Sequence, residues 1–190
     1  MNERELTAHH EAAHAVLARC LGHDVIWIQL RAENSRRPGY LGCVRRRPNP
    51  KLIEKACNAS VGACQCERTR RAAKMVVAWG GPITDLRLGD EQTRNDLEDI
   101  AECAKFLSGD VTDTAIEYAL NMKALATELV ENNWHHIERL ASLLMVSAAS
   151  CGASVLKQKE IEAILGEPEN PQGATDDVVR LLELACKEAA

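Results

Sequence analysis

His10-Glu11-Ala12-Ala13-His14 is an HExxH arrangement, and its spacing has a chemical meaning if the segment is helical. A helix advances about 100° per residue, so residues four apart sit nearly above one another. Two imidazoles placed this way can grip one Zn2+ at ~2.0–2.1 Å. Glu11 lies beside them, where its carboxylate can take a proton from water as a general base. Small Ala12 and Ala13 let another element pack closely on the same helix. The bland alternative is a pair of polar histidines on an exposed helix face. The amphipathic surroundings, the Gly22 stop and the β-rich segment that follows favour a metal site. His9 points about 100° away from His10 and cannot replace either ligand on that face. It is read as an exposed residue or as support for a ligand. His23, His135 and His136 have no partner at ligand spacing and are read as surface or capping residues.

A catalytic zinc needs a third protein ligand and an open position. The extended pattern HExxHxxGxxH fails, because Leu17 stands at the glycine position and Cys20 at the third-histidine position. The metzincin class is thereby excluded. Asp85, Asp96, Glu98 and Asp99 are the acidic candidates downstream. For Asp96 a simpler role competes: it opens a predicted helix, where a carboxylate suits the positive dipole end and Thr93 can cap.

These residues need elements to carry them. Leu6 to Leu21 has helical apolar spacing and Gly22 as a left-handed stop. Val25 to Leu30 is short and β-rich, a strand. Turn residues fill Asn34 to Gly39, and Tyr40 to Val44 is a second short strand. A basic connection with Pro48 and Pro50 follows. Leu52 to Ala63 is read as helix and Cys64 to Arg71 is ambiguous. Ala72 to Trp79 is helical until Gly80-Gly81-Pro82 ends or bends it, with helix resuming over Ile83 to Leu88. Helices are then expected at Asp96 to Leu107, Thr112 to Glu131, Asn133 to Ala149 and Lys157 to Leu165. Gly166 to Gly173 reads as a linker and Asp176 to Lys187 as a last amphipathic helix. The expected division is a domain over 1–166 and a linker with C-terminal helix over 167–190.

Composition agrees with a mainly α chain. Of 190 residues, 46% are hydrophobic but only 3% aromatic, so Leu, Ile, Val and Ala must fill the core. Between Arg31 and Lys74, 12 Lys/Arg face 3 Asp/Glu, a local +9 within a chain of net −5. Tyr40 alone interrupts that stretch with an aromatic side chain, so it is read as solvated surface rather than a nucleic-acid platform. The eight cysteines include no CxxC pair, and the mixed-charge N-terminus has no apolar signal region. Free thiols and a reducing cytoplasm are expected. The longest uncharged run, Leu140 to Leu156, is shorter than the ~20 apolar residues of a membrane span.

Several segments together resemble one family. His10-Glu11-Ala12-Ala13-His14-Ala15, the Val25–Leu30 strand and Leu41-Gly42-Cys43-Val44 look like the opening of the peptidase domain of FtsH-type proteases, which reads HEAGHA, a strand, then LGYT. Trp79-Gly80-Gly81-Pro82-Ile83-Thr84-Asp85 resembles the GGRAAE turn of that family. Thr93-Arg94-Asn95-Asp96-Leu97-Glu98 resembles its TxGAxNDL segment, whose Asp is the third zinc ligand. Residues 125–165 are similar to its closing helices. The resemblance spans about residues 7–166. It implies a helical, zincin-like peptidase domain with a small β-sheet, and His10, His14 and Asp96 holding Zn2+ with Glu11 as base. It further implies that the Val25–Leu30 strand pairs with extended polypeptide substrate.

The departures are specific. Ala13 replaces a glycine, Pro82 and Asp85 replace Arg and Glu, and residues 45–71 are unlike the family. No GxxxxGK[ST] motif is present, so protein unfolding is not expected of the chain itself. Flexible substrate would have to arrive another way, and a separate ATPase or a homo-oligomer is a candidate partner. The expectation is therefore a zinc metallopeptidase. The rivals are a non-hydrolytic zinc-containing binding domain and a polyanion-binding role for the Arg31–Lys74 stretch.

Overall fold

The computed structural model describes residues 1–31, 42–48, 63–90, 96–109, 111–151, 153–166, 176–178 and 180. Its elements, in order, are α1 (Glu3–Cys20), β1 (Asp24–Leu30), β2 (Gly42–Arg47), α2 (Ala63–Arg87), α3 (Asp96–Ser108), α4 (Thr112–Asn132), α5 (Trp134–Cys151), β3 (Ser154–Lys157) and α6 (Gln158–Leu165). The chain is mainly helical with one small antiparallel sheet of order β2-β1-β3. No helix among the described residues is long and apolar enough to cross a membrane.

α1 is the centre of the packing. It begins three residues earlier than its apolar spacing suggests, because Asn2 and Glu5 form a capping box: Glu5 N donates to Asn2 Oδ1 at 2.9 Å and Asn2 N to Glu5 Oε2 at 3.0 Å. Two of the otherwise orphaned first-turn donors are satisfied in this way. At the other end Gly22 takes φ 71° and His23 N returns to Ala18 O at 2.9 Å. Ala8, Ala12, Ala13, Ala15 and Ala18 are all fully buried. Their small side chains let α2, α5 and the sheet close on α1 from several sides.

α2 differs from its sequence reading. Gly80-Gly81-Pro82 was expected to end or bend a helix, yet the helix runs unbroken from Ala63 to Arg87 with Pro82 inside. An interior proline forfeits one ladder hydrogen bond and costs about 3 kcal/mol in isolation. Tertiary packing offsets this cost here. Gly80 presses on α1, where an added Cβ would stand 3.1 Å from Leu17 and 3.4 Å from the Ala13 backbone. The ambiguous residues 64–71 are part of the same helix.

The second strand, expected over Tyr40–Val44, is described over Gly42–Arg47 and so ends later than expected; residues 32–41 lie outside the described set. The arginine run read as a connection is strand because alternate residues leave the core. β1 pairs Leu30↔Gly42, Ile28↔Val44 and Val25↔Arg46 towards the helices, and Gln29↔Cys43, Trp27↔Arg45 and Asp24↔Arg47 on the outer face. A bulge lies between Val25 and Trp27. β3, only four residues long, was hidden in the uncharged run before α6. Of the helix expected over 52–63 and the linker expected over 166–173, residues 52–62 and 167–173 lie outside the described residues, while 176–178 and 180 are helical.

β1 is therefore the middle strand. β2 covers one of its edges and β3 the other along Trp27–Leu30. Its main-chain groups there are taken, which corrects the expectation that Val25–Leu30 pairs with an extended substrate.

Candidate metal centre

His10 and His14 project from one face of α1 with ring centroids 4.7 Å apart and nearly perpendicular planes. Their Nε2 atoms approach to 3.0 Å. Asp96, the first residue of α3, brings Oδ2 to 2.9 Å from His10 Nε2 and Oδ1 to 3.4 Å from His14 Nε2. One donor atom from each of the three residues lies within 4.8 Å of the others, a group that can hold a metal ion. Of the other acidic candidates, Glu98 and Asp99 are exposed and Asp99 pairs with Lys74 at 3.0 Å. Asp96 also sits in the first turn of its helix, so its dipole role and its place in the group coexist.

α2 fixes both rings from behind. His10 Nδ1 lies 2.7 Å from Asp85 Oδ2, and His14 Nδ1 lies 2.7 Å from the Val77 carbonyl oxygen. A carbonyl only accepts, so His14 must carry its proton on Nδ1, and the carboxylate selects the same proton on His10. In the neutral form of each ring the Nε2 lone pair then points inward. Two lone pairs and a carboxylate converge, and only a cation or a proton satisfies all three.

The titration behaviour follows. Burial opposes charging of His10, but the hydrogen bonds to Asp85 and Asp96 outweigh it and raise the ring to about 9. Burial likewise works against the Asp96 anion, yet hydrogen bonds from His10 and His14 hold its carboxyl far below the usual carboxylate range. Without a metal, His10 holds the proton that compensates the cluster.

Two glycines make the space. A Cβ at Gly81 would overlap the His10 ring, 2.7 Å from Nδ1. At Gly42, on β2, a Cβ would fall 2.5 Å from Glu11 Cγ and 2.7 Å from Oε1. Glu11 is 8% exposed and stands between the histidines in sequence with β2 at its side. It also influences the half-buried Cys43, whose thiol is pushed up first by burial and then by the Glu11 charge. Cys20, Cys43 and Cys103 are free thiols outside the metal group; the side chains of Cys57, Cys64 and Cys66 are outside the described residues.

The remaining histidines divide. His9 is half-buried and stacks on Trp134 at 6.2 Å, and the His135 and His136 rings lie 3.9 Å apart, tilted by 40°. Contrary to its expected place at the surface or in a cap, His23 is buried, 5% exposed, where burial and then Arg46 lower it to about 4. Sequence reasoning did not find the anchoring roles of Asp85 and Val77 or the clearance at Gly42 and Gly81. The available signal was a Gly-Gly pair inside an otherwise helical pattern.

No family model matches this sequence, and no curated protein matches it.

Proposed function

We propose that the protein is a zinc-dependent metallopeptidase on the FtsH-type plan, with His10, His14 and Asp96 as ligands and Glu11 as the general base. The observation that carries this reading is the convergence of two inward Nε2 lone pairs and the Asp96 carboxylate, with Glu11 next to His10 on the same helix. The donor set suits zinc: two ligand atoms each ~2.0–2.1 Å from a tetrahedral ion stand about 3.3 Å apart, close to the 2.9–3.4 Å found here. Each imidazole has a hydrogen-bonded acceptor behind it, the support that ligating histidines require. Three protein donors leave one tetrahedral vertex for a reactant.

Zinc held there supplies Lewis-acid polarisation of a carbonyl and acidifies water. The residues of the chain do the rest. Glu11 Oε takes the proton of the attacking water and hands it to the departing amine nitrogen. Asp85 and Val77 keep both rings from turning, so the ligand geometry survives the reaction cycle. Gly42 sets where the Glu11 carboxylate lies. Among the described residues the outer edge of β2 is unpaired, so it replaces β1 as the strand on which an extended polypeptide would add.

The test pairs metal analysis with digestion of an unstructured protein such as casein. Bound zinc with cleavage that disappears in Glu11→Gln supports the peptidase. Bound zinc without turnover on any unstructured substrate would favour the second reading, a non-hydrolytic zinc-containing domain, which the substitutions at Pro82 and Asp85 motivate.

A further inference from the structure

We propose that the site selects extended segments carrying Asp or Glu at alternate positions, and that Arg45 and Arg47 on the edge of β2 make the selection. This rests on the peptidase reading and names its substrate class.

The strand register carries the argument. Residues directly opposite one another share a face of the sheet. Arg45 lies opposite Trp27 and Arg47 opposite Asp24 on the outer face, while Lys157 of β3 lies opposite Trp27 from the other side. One row across the sheet thus reads Arg45, Trp27, Lys157, and both cations are exposed. Arg45 has no ion pair among the described residues. Arg47 has only a loose 3.8 Å contact with Asp24, the two side chains being 70% and 45% exposed. An arginine cannot shed its charge near neutral pH, so this edge stays positive.

The same strand starts at the chemistry. Gly42 abuts Glu11, and at ~3.3 Å per residue Arg45 and Arg47 lie about 10 and 17 Å further along. A peptide added to this edge alternates its side chains with the same period. Every second residue then shares the outer face with the two arginines, roughly three and five positions from the scissile bond. Acidic side chains there would form cross-strand ion pairs, whereas basic ones would be repelled. The chain as a whole is net −5, so the attraction is local to this edge. That sign, and a single aromatic in the row, favour a short acidic peptide over a long polyanion.

The experiment uses zinc-loaded Glu11→Gln protein and short labelled unstructured peptides that differ only in carrying Glu, Ser or Lys at alternate positions. An oligothymidylate of equal length is the comparator. Fluorescence anisotropy should show the Glu peptide binding roughly three- to ten-fold tighter than the Ser peptide, and the Lys peptide weakest. High salt should compress the series, since these exposed charges are screened. In the Glu11→Gln background, Arg45→Gln should flatten the order and the R45E/R47E pair should invert it. Equal affinities, an order unchanged by those substitutions, or tighter binding of the oligothymidylate would overturn the proposal. The wild-type enzyme separates the two levels. Equal kcat/KM on all three peptides would sink the acidic preference and leave the peptidase standing. Selective binding without cleavage of any peptide would sink the peptidase and reduce the inference to a binding preference of the β2 edge.

Discussion

α2 and β2 each press a glycine against a side chain of the candidate site on α1, but they serve it differently. α2 is an anchoring wall. It removes the Cβ over His10 at Gly81 and then immobilises both imidazoles through Asp85 and the Val77 carbonyl. β2 is an accommodating wall. It clears room for Glu11 at Gly42 and turns Arg45 and Arg47 outward. The proposed ligands are therefore held in buried surroundings, and Glu11, the proposed base, lies beside a strand whose outer edge is unpaired among the described residues. In the proposed peptidase, ligands held in orientation favour the metal, whereas the base must meet a substrate that comes from outside.

The largest effects should separate the two halves completely. Glu11→Gln should lower peptide cleavage by about 10²–10⁴-fold or more while zinc per chain, read by elemental analysis, stays at the wild-type value. His14→Ala should abolish both together. The two glycines give the next contrast. Gly42→Ala should shift the Glu11 carboxylate and reduce kcat by up to ~100-fold with little change in zinc affinity. Gly81→Ala should instead act on the metal, because overpacking against the His10 ring costs about 1–3 kcal/mol and moves a ligand. Chelator competition and thermal melts measure that loss. If the two alanines give the same phenotype, the division between the walls is wrong.

Asp85→Asn tests the anchoring wall alone. It should weaken zinc binding by ~10–100-fold in chelator titrations, with the fold intact by circular dichroism. The mildest effect is on pH. His10 has a folded value, about 9, above its ordinary 6.5, so its contribution to stability is complete below pH 6.5 and is lost as pH rises through about 9. Asp96 is depressed, so its contribution is present above its ordinary range and is lost only in strong acid. The melting temperature of metal-free protein should therefore fall between pH 6.5 and about 9. Zinc competes with the proton on His10 Nε2 and should add progressively more to the melting temperature across the same interval.

Much of the helical scaffold was legible because period and punctuation agree along α1, α3, α4 and α5. The paired histidines were legible for the same reason, since their spacing is a local property of one helix. Asp96 was one of four downstream acids until its Asn-Asp-Leu context singled it out, because a first-turn acid looks the same whether or not it faces a ligand set. Asp85 joins His10 across 75 residues of chain, and no local pattern encodes that contact. The passage of α2 through Pro82 was hidden because packing on α1 outweighs propensity there. The continuation of β2 past Val44 was hidden because three consecutive arginines read as a loop until the alternation of faces is known. β3 was missed because four residues between helices carry almost no periodic signal.

The most direct test of the metal centre is zinc K-edge X-ray absorption on the protein carrying one equivalent of zinc. The account predicts a first shell of nitrogen and oxygen at ~2.0–2.1 Å with two imidazole scattering patterns. A sulfur shell at ~2.3 Å would contradict it, because the ion would then sit among the cysteines and not between His10, His14 and Asp96.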